Sequence, residues 1–342
     1  MALRRQDKRE EGRVAGTLEQ DFAAATEPFR RELVVHCYRM LGSVQEAEDV
    51  VQEALLRAWR SRERYDPTQA SIRTWLYRIT TNACLSAMKG AARRPLPSGL
   101  GAASDNPEAP LVPDFDVPWL QPLPNSYLRE LIIDPGARAV ERESVRLALV
   151  GAMQLLPPKQ RAVLVLRDVL QFSAAEVAGQ VGITVAAVNS ALQRARATLV
   201  KAAPSEESIG ALDGGVAEGI IQRYIDAFEA ADVAALIALL TDDVVLEMPP
   251  VPLWYRGRQN YGDFMSRVFR LRGASWRILA TSANGQWALA AYCADRTGTY
   301  VLHTLQIITV SGGGITRNVV FQDPAVFHAF RLEPVLPVCP SK

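Results

Sequence analysis

The sequence predicts a multidomain chain in which two all-α domains, joined by a proline-rich linker, precede an α+β domain. Three observations carry that reading. Apolar residues recur at helical spacing over residues 19–91 and again over 135–203, as amphipathic helices require. Between these stretches, Pro95, Pro97, Gly99, Gly101, Pro107, Pro110, Pro113, Pro118, Pro122 and Pro124 forbid regular structure, because proline lacks an amide hydrogen and fixes its own φ. After residue 216, two helical stretches give way to strand-like runs, the order of an α+β domain. The expected divisions are a tail at 1–18, a helical domain at 19–94, a linker at 95–136, a second helical domain at 137–203, a short linker at 204–216, the α+β domain at 217–332 and a tail at 333–342.

Composition narrows the function. With 49% hydrophobic and 22% charged residues, the 342-residue chain can bury several cores and is not a disordered polymer. The net charge of +1 hides an uneven distribution. Lys and Arg outnumber Asp and Glu by twelve to seven over residues 30–94 and by six to two over 159–201, against eleven to twelve over 213–342. A polyanion would therefore bind the helical domains. Cys37, Cys84, Cys293 and Cys339 lie far apart without a C-x-x-C spacing, so neither a disulfide framework nor a zinc site is expected, and a reducing cytoplasm fits best. His36 adjoins Cys37, but neighbours on a helix point in different directions, which favours packing over metal binding. The N-terminus has no apolar signal segment and no run is long enough to span a bilayer, so no membrane partner is expected.

In the first domain, Val44–Arg60 reads as a two-faced helix. Ala47, Val50, Val51, Ala54, Leu55 and Ala58 line the core side, while Gln45, Asp49, Gln52, Glu53 and Leu56 form an acidic stripe opposite. That stripe is either a solvated face or a protein-binding one. Residues 70–89 form a second helix, with Ile72, Trp75, Leu76, Ile79, Ala83 and Ala87 inward and Arg78, Thr81, Asn82 and Lys89 elsewhere. Arg60, Arg62 and Arg64, interleaved with Trp59 and Tyr65, suit single-stranded DNA, whose bases stack and whose phosphates pair with cations. Trp59 and Trp75 continue the apolar stripes and are read as core.

The linker is expected to be extended. Its Phe115, Val117, Trp119, Leu120, Leu123 and Tyr127 are too apolar for a passive tether, and imply a segment laid along a surface, its own or a partner's. In the second domain, Pro158 suits a helix start. Residues 173–199 read as two helices joined by a glycine turn. Ser173 and Glu176 make a capping box, Gly182 supplies a positive φ, and Thr184 caps the second helix. Val188, Leu192, Ala195 and Leu199 face inward, leaving Ala187, Asn189, Ser190, Gln193, Arg194 and Arg196 as a surface suited to base edges and phosphates. An ordinary helical hairpin shares this pattern.

In the third domain, helices at 219–229 and 233–240 precede strands at 244–248, 276–281, 287–293, 300–310 and 315–322, expected to form an antiparallel sheet. Trp254, Tyr255, Trp276 and His303 are candidate pocket residues. Asp295 with His303 offers acid–base chemistry in principle, against the ordinary alternative of a core histidine.

Three stretches together resemble one family. Residues 46–59 (EAEDVVQEALLRAW) with 73–82 (RTWLYRITTN) look like region 2 of an extracytoplasmic-function (ECF) sigma factor. Residues 156–162 (LPPKQRA), leading into the helix-turn-helix, look like its region 4. Residues 247–257 and 327–332, with the linker's Trp119, Leu120, Pro122 and Pro124, are similar to a SigG-like actinobacterial branch that appends a SnoaL-like cone domain. The resemblance implies a cytoplasmic, non-enzymatic promoter-recognition factor without cofactor or metal. Asp49, Gln52 and Glu53 would dock on the β′ clamp helices of core RNA polymerase, which the β subunit would also contact. Arg62, Arg64, Arg78 and Asn82 would meet the melted minus-10 element, and Asn189, Ser190, Gln193, Arg194 and Arg196 the minus-35 duplex. The linker would thread along the polymerase. The C-terminal domain would modulate activity in cis, and a small ligand or an anti-sigma factor is an open partner. The alternative is a helix-turn-helix regulator fused to a small-molecule-binding or isomerase-like cone domain.

Overall fold

The computed structural model describes residues 21–128, 142–202 and 214–336. The expected N-terminal tail, the end of the long linker with Pro135, most of the short linker, and Cys339 in the C-terminal tail lie outside the described residues.

The first domain contains α1 (Arg30–Leu41), α2 (Val44–Arg60) and α3 (Ile72–Ala87). Gly42 ends α1 at φ +76°, where its amide bonds the Tyr38 carbonyl, and the next residue, Ser43, caps α2 by accepting from the Glu46 amide. The expected α2 has the observed bounds. The second helix is shorter than the expected 70–89, because Ser71 caps it by accepting from the Thr74 amide.

Every residue of α1 from Leu33 to Leu41 is buried, so this helix is surrounded by its neighbours. The fold brings together two cysteines that the sequence separates: Cys84 Sγ donates to Cys37 Sγ at 3.3 Å, with both thiols free and buried. Burial raises the Cys37 thiol far above its ordinary range, which makes it unreactive. His36 is fully buried and its Nε2 meets Thr81 Oγ1 at 2.9 Å. Thr81 therefore faces inward and Ala87 is exposed, correcting the sequence-based faces at both positions.

Burial, with Arg39 and Arg73 nearby, lowers His36 from 6.5 to about 3. Below pH 6.5 the unfolded chain binds this proton and the folded chain does not. The stabilisation is complete above that pH and is lost on acidification, at about 1.4 kcal/mol per pH unit within the window. The melting temperature should fall between pH 7 and pH 5, and His36→Gln should flatten the fall; a calorimetric profile unchanged by the substitution would refute the assignment.

The second domain has α4 (Leu147–Met153), α5 (Pro158–Leu164), a π-helical turn at Val165–Val169, α6 (Ala174–Val181) and α7 (Val185–Ala202). Pro158 begins α5, the Ser173–Glu176 capping box is formed in both directions, and Gly182 has φ +69°. Thr184 Oγ1 accepts from the Ala187 amide at 3.2 Å. Val188 and Ala195 are fully buried, with Leu192 beside them.

The third domain comprises α8 (Gly214–Glu229), α9 (Val233–Ala238), β1 (Leu240–Met248), β2 (Val251–Arg256), α10 (Arg258–Arg272), β3 (Trp276–Ala283), β4 (Gln286–Ala294), β5 (Tyr300–Ser311), β6 (Gly314–Phe321), α11 (Pro324–Ala329) and β7 (Val335–Leu336). The strand order is β2-β1-β6-β5-β4-β3, with β7 paired to β5. The sheet is mixed rather than wholly antiparallel. The chain enters it at β1 and returns with β6 to pair with β1 in parallel. Sequence periodicity missed β2 and α10, since α10 carries four arginines among its apolar residues.

Both faces of this sheet are buried. Alternation sends Leu289 and Ala291 to the core beneath α8 and α10, and Ala288, Ala290 and Tyr292 to the other side. The second side joins a core that continues through the linker's Leu120 and Leu123 into both helical domains. The linker is accordingly a structural layer, with Leu120 and Leu123 fully buried and Trp119 nearly so. Of the two surfaces the apolar linker residues could follow, the protein's own is the one they pack on here, and among the described linker residues Val112 and Phe115 stay largely exposed.

Candidate nucleic-acid interface and carboxy-terminal cavity

The acidic stripe of α2 is open. Gln45, Asp49, Gln52, Glu53 and Leu56 are all exposed, and Glu53 pairs with Arg57 one turn on. Asp49 borders a cleft of about 520 Å³ between the helical domains, where Arg94 pairs with Glu46.

The residues expected to meet single-stranded DNA divide into two groups. Arg64 and Arg78 are exposed. Arg62 folds back, its guanidinium 3.9 Å from the Trp59 ring centroid and its Nη1 donating to the Trp59 carbonyl. Asn82 donates to the Arg78 carbonyl at 2.8 Å and to Gln180 of α6 at 3.2 Å. Tyr77 and Phe172 meet edge to face at 5.5 Å. One end of α3 is thus covered by the first helix of the helix-turn-helix.

On α7, Asn189, Ser190, Gln193 and Arg194 are exposed along one face, with Ala187 half-buried at its start. Arg196 is also exposed, but both its Nε and Nη2 donate to Asp168, at 2.9 and 2.6 Å. Its guanidinium is held in a fixed direction, so only part of its donor set is available to DNA.

The domains meet at Asn284. Its Nδ2 donates to Tyr38 Oη at 2.7 Å and to the Val145 carbonyl at 2.6 Å, while its Oδ1 accepts from the Leu123 amide at 2.8 Å. The Asn284 amide in turn donates to the Leu123 carbonyl at 2.8 Å. One side chain on the β3–β4 turn therefore binds the first helical domain, the linker and the segment leading into the second. Next to it, Gln286 Oε1 accepts from the Leu147 amide, and Gly285 donates to Asn125 Oδ1. The Asn284-Gly285 pair between two strands is a legible hairpin signal, with φ of 55° and 69°. Its reach across three segments is not legible in the sequence. Arg161, within the LPPKQRA stretch, was assigned no role by sequence. It is buried, and Nη2 donates to the Gln154 and Leu156 carbonyls while Nη1 reaches Gln154 Oε1 and the Met40 carbonyl of α1. Burial lowers it to about 10, still a cation at neutral pH.

The four expected pocket residues are not brought together. Trp276 and His303 line a cavity of about 230 Å³ beneath α10. Trp254 and Tyr255 instead hold the linker, through Trp254 Nε1 to the Gly101 carbonyl at 3.0 Å and Tyr255 Oη to the Asn106 carbonyl at 3.1 Å. They stand on β2 at the sheet edge, where the linker runs past. Asp295 accepts from Thr297 and Thr299 in its own turn and does not line the cavity, so it is no acid partner for His303. Burial, then Arg272, lowers His303 to about 4, and no carboxylate is among the described lining residues. No described helix is long and apolar enough to cross a membrane.

Comparison with known proteins agrees with this architecture. Residues 26–94 match sigma-70 region 2, residues 146–199 match sigma-70 region 4, and residues 221–318 match the SnoaL-like domain. The ECF RNA polymerase sigma factor SigG of Mycobacterium tuberculosis is 45% identical over 315 residues, covering 91% of this chain and 84% of SigG. SigJ of the same organism is 32% identical over 220 residues, covering 64% of this chain and 62% of SigJ. The crystal structure of Mycobacterium tuberculosis SigJ shares the fold, with a TM-score of 0.62 at 23% identity over 91% of this chain and 100% of that one. With sigma-70 regions 2 and 4 in order and a SnoaL-like domain after them, the chain belongs to the ECF sigma factors, non-enzymatic proteins that direct transcription initiation.

Proposed function

We propose that the exposed α2 stripe of Gln45, Asp49, Gln52, Glu53 and Leu56 docks on core RNA polymerase, that Arg62, Arg64, Arg78 and Asn82 engage the melted minus-10 element, and that Ala187, Asn189, Ser190, Gln193, Arg194 and Arg196 approach the minus-35 duplex. The exposure of most of them on two separate helical domains supports this division, with Arg62 folded onto Trp59 and Ala187 half-buried. The SnoaL-like domain acts in cis by holding regions 2 and 4 together. The observation that carries this is Asn284, whose side chain hydrogen-bonds to region 2, the linker and Val145, immediately before region 4. Elements centred near positions 10 and 35 lie on the order of 80 Å apart along a duplex, at about 34 Å per turn. Asn82 of region 2 and Gln180 of region 4 are in hydrogen-bond contact, so the two regions must part before both elements are engaged.

Start-site mapping of genomic DNA transcribed by core polymerase with this protein tests the reading, and should return both elements at one spacing. Asp49→Ala with Gln52→Ala should reduce holoenzyme formation about tenfold; normal assembly in a pull-down from purified components would remove the stripe from the interface. Arg194→Ala should weaken binding to minus-35 duplexes by about 1–3 kcal/mol if it reads a base. Equal loss on all sequences, measured by titration at fixed salt, would make it a phosphate contact only.

A further inference from the structure

The cavity of the SnoaL-like domain has the features of a binding site with a lid. Most of its wall is apolar, with Phe228, Leu246, Met248, Phe264, Met265 and Trp276 among the lining residues. One polar group inside is unfinished. Asn318 of β6 is 1% exposed, and its Nδ2 donates to Tyr261 Oη at 2.8 Å and Gln306 Oε1 at 3.0 Å, with Tyr224 Oη at 3.2 Å. Its Oδ1 is buried and has no hydrogen-bond partner. A buried amide oxygen is costly to leave without a donor. The sheet is also distorted beside the cavity. On β5, Thr304 pairs with Ala291 and Leu302 with Tyr292, so His303 is left opposite no residue, and His303 and Thr304 both line the cavity. Such bulges re-aim side chains at sites.

The wall on the open side comes from another part of the chain. Leu111 and Pro113 of the linker line the cavity together with Leu271 of α10. This linker stretch is clamped to the domain. Arg267 donates to the Pro107 and Ala109 carbonyls at 2.7 and 2.8 Å, Arg270 pairs with Glu108, and the Asp114 amide donates to the Pro250 carbonyl at 2.9 Å. A few residues on, the same linker enters the shared core as Leu120 and Leu123.

We propose that this cavity binds a small, uncharged, largely apolar molecule whose hydroxyl group donates to Asn318 Oδ1, with the linker at Leu111 and Pro113 as its lid. His303, held neutral by its burial, adds no charge to the site, Arg267 is spent on the Pro107 and Ala109 carbonyls and on Glu108, and Arg272 at the mouth disfavours a cation. The size admits about one or two fused rings. Because the lid is continuous with the segment that Asn284 holds, occupancy bears on the arrangement of regions 2 and 4. That last step rests on the cis reading above; binding itself does not.

The test uses the full chain and 2-naphthol, with naphthalene as its counterpart lacking the hydroxyl, followed by fluorescence titration. Saturable one-to-one binding is expected, about tenfold weaker for naphthalene, and weakened at least tenfold by Leu271→Trp, which fills the mouth from an exposed position without touching the polar cluster. Asn318→Leu should bring 2-naphthol down to the naphthalene level; since that change also strips partners from Tyr224 and Tyr261, the Leu271 variant and the naphthalene comparison stand where it fails to fold. No saturable binding, equal binding of the two probes, or binding indifferent to Leu271→Trp overturns the proposal. Transcription by Asn284→Ala judges the cis reading separately: binding lost with Asn284→Ala still altering transcription condemns the site alone, while binding present with Asn284→Ala without effect condemns the cis reading and leaves the site.

Discussion

Asn284→Ala should destabilise the docked arrangement by about 3–5 kcal/mol. Three hydrogen bonds vanish together, and the Leu123 amide and Val145 carbonyl are left buried without the partners they have in the wild type. Each buried group so stranded costs about 1–3 kcal/mol. A further penalty comes from the backbone, because the position has φ 55° and alanine tolerates that conformation less well than asparagine. The loss is concentrated at the junction rather than in any one domain. Denaturant unfolding should therefore begin at a lower denaturant concentration than in the wild type, and the linker should become more sensitive to protease at unchanged helical content. If the SnoaL-like domain restrains the sigma regions, transcription at limiting polymerase should rise. A denaturation midpoint matching the wild type would show that the three bonds contribute little.

Arg161→Met should cost about 2–4 kcal/mol and act on the seam between regions 2 and 4. Replacing a buried charge by an apolar side chain is often neutral when both partners can be replaced. Here the partners are mainly backbone carbonyls, of Gln154, Leu156 and Met40, and no substitution removes them. The Gln154 carbonyl also ends α4, where the helix dipole favours a cation. Relief of guanidinium desolvation offsets part of the loss, which is why the expected figure is below the sum of four stranded acceptors. Arg161→Lys keeps the charge but not the planar fork, and should recover less than half of the stability. Thermal and denaturant melts of the three proteins decide it; a methionine variant within 0.5 kcal/mol of the wild type would mean that the carbonyls find water instead.

Much of the architecture is determined locally, and for that reason was legible. The α2 bounds follow from Ser43 and a clean apolar stripe, and the helix-turn-helix follows from the Ser173–Glu176 box, Gly182 and Thr184. Each signal involves residues within a turn or two of one another. Most of the exposed faces of α2 and α7 were legible for the same reason, since a helix has one inside and one outside once its stripe is known. Arg196 was the partial exception, because its partner Asp168 lies 28 residues away.

What the sequence by itself determined was the order of the domains, the helices of the sigma regions and the surfaces left over when their cores are buried. Tertiary structure alone decided that the linker is a packed layer, that the C-terminal sheet buries both faces, and that Trp254 and Tyr255 grip the linker while Asn318 and Gln306 line the cavity. The physical reason is range. Helix periodicity and capping are short-range and repeat along the chain, whereas the partners of Asn284 lie 139 to 246 residues from it and leave no periodic trace. A polar residue on a turn looks the same in sequence whether it faces water or joins three parts of the molecule.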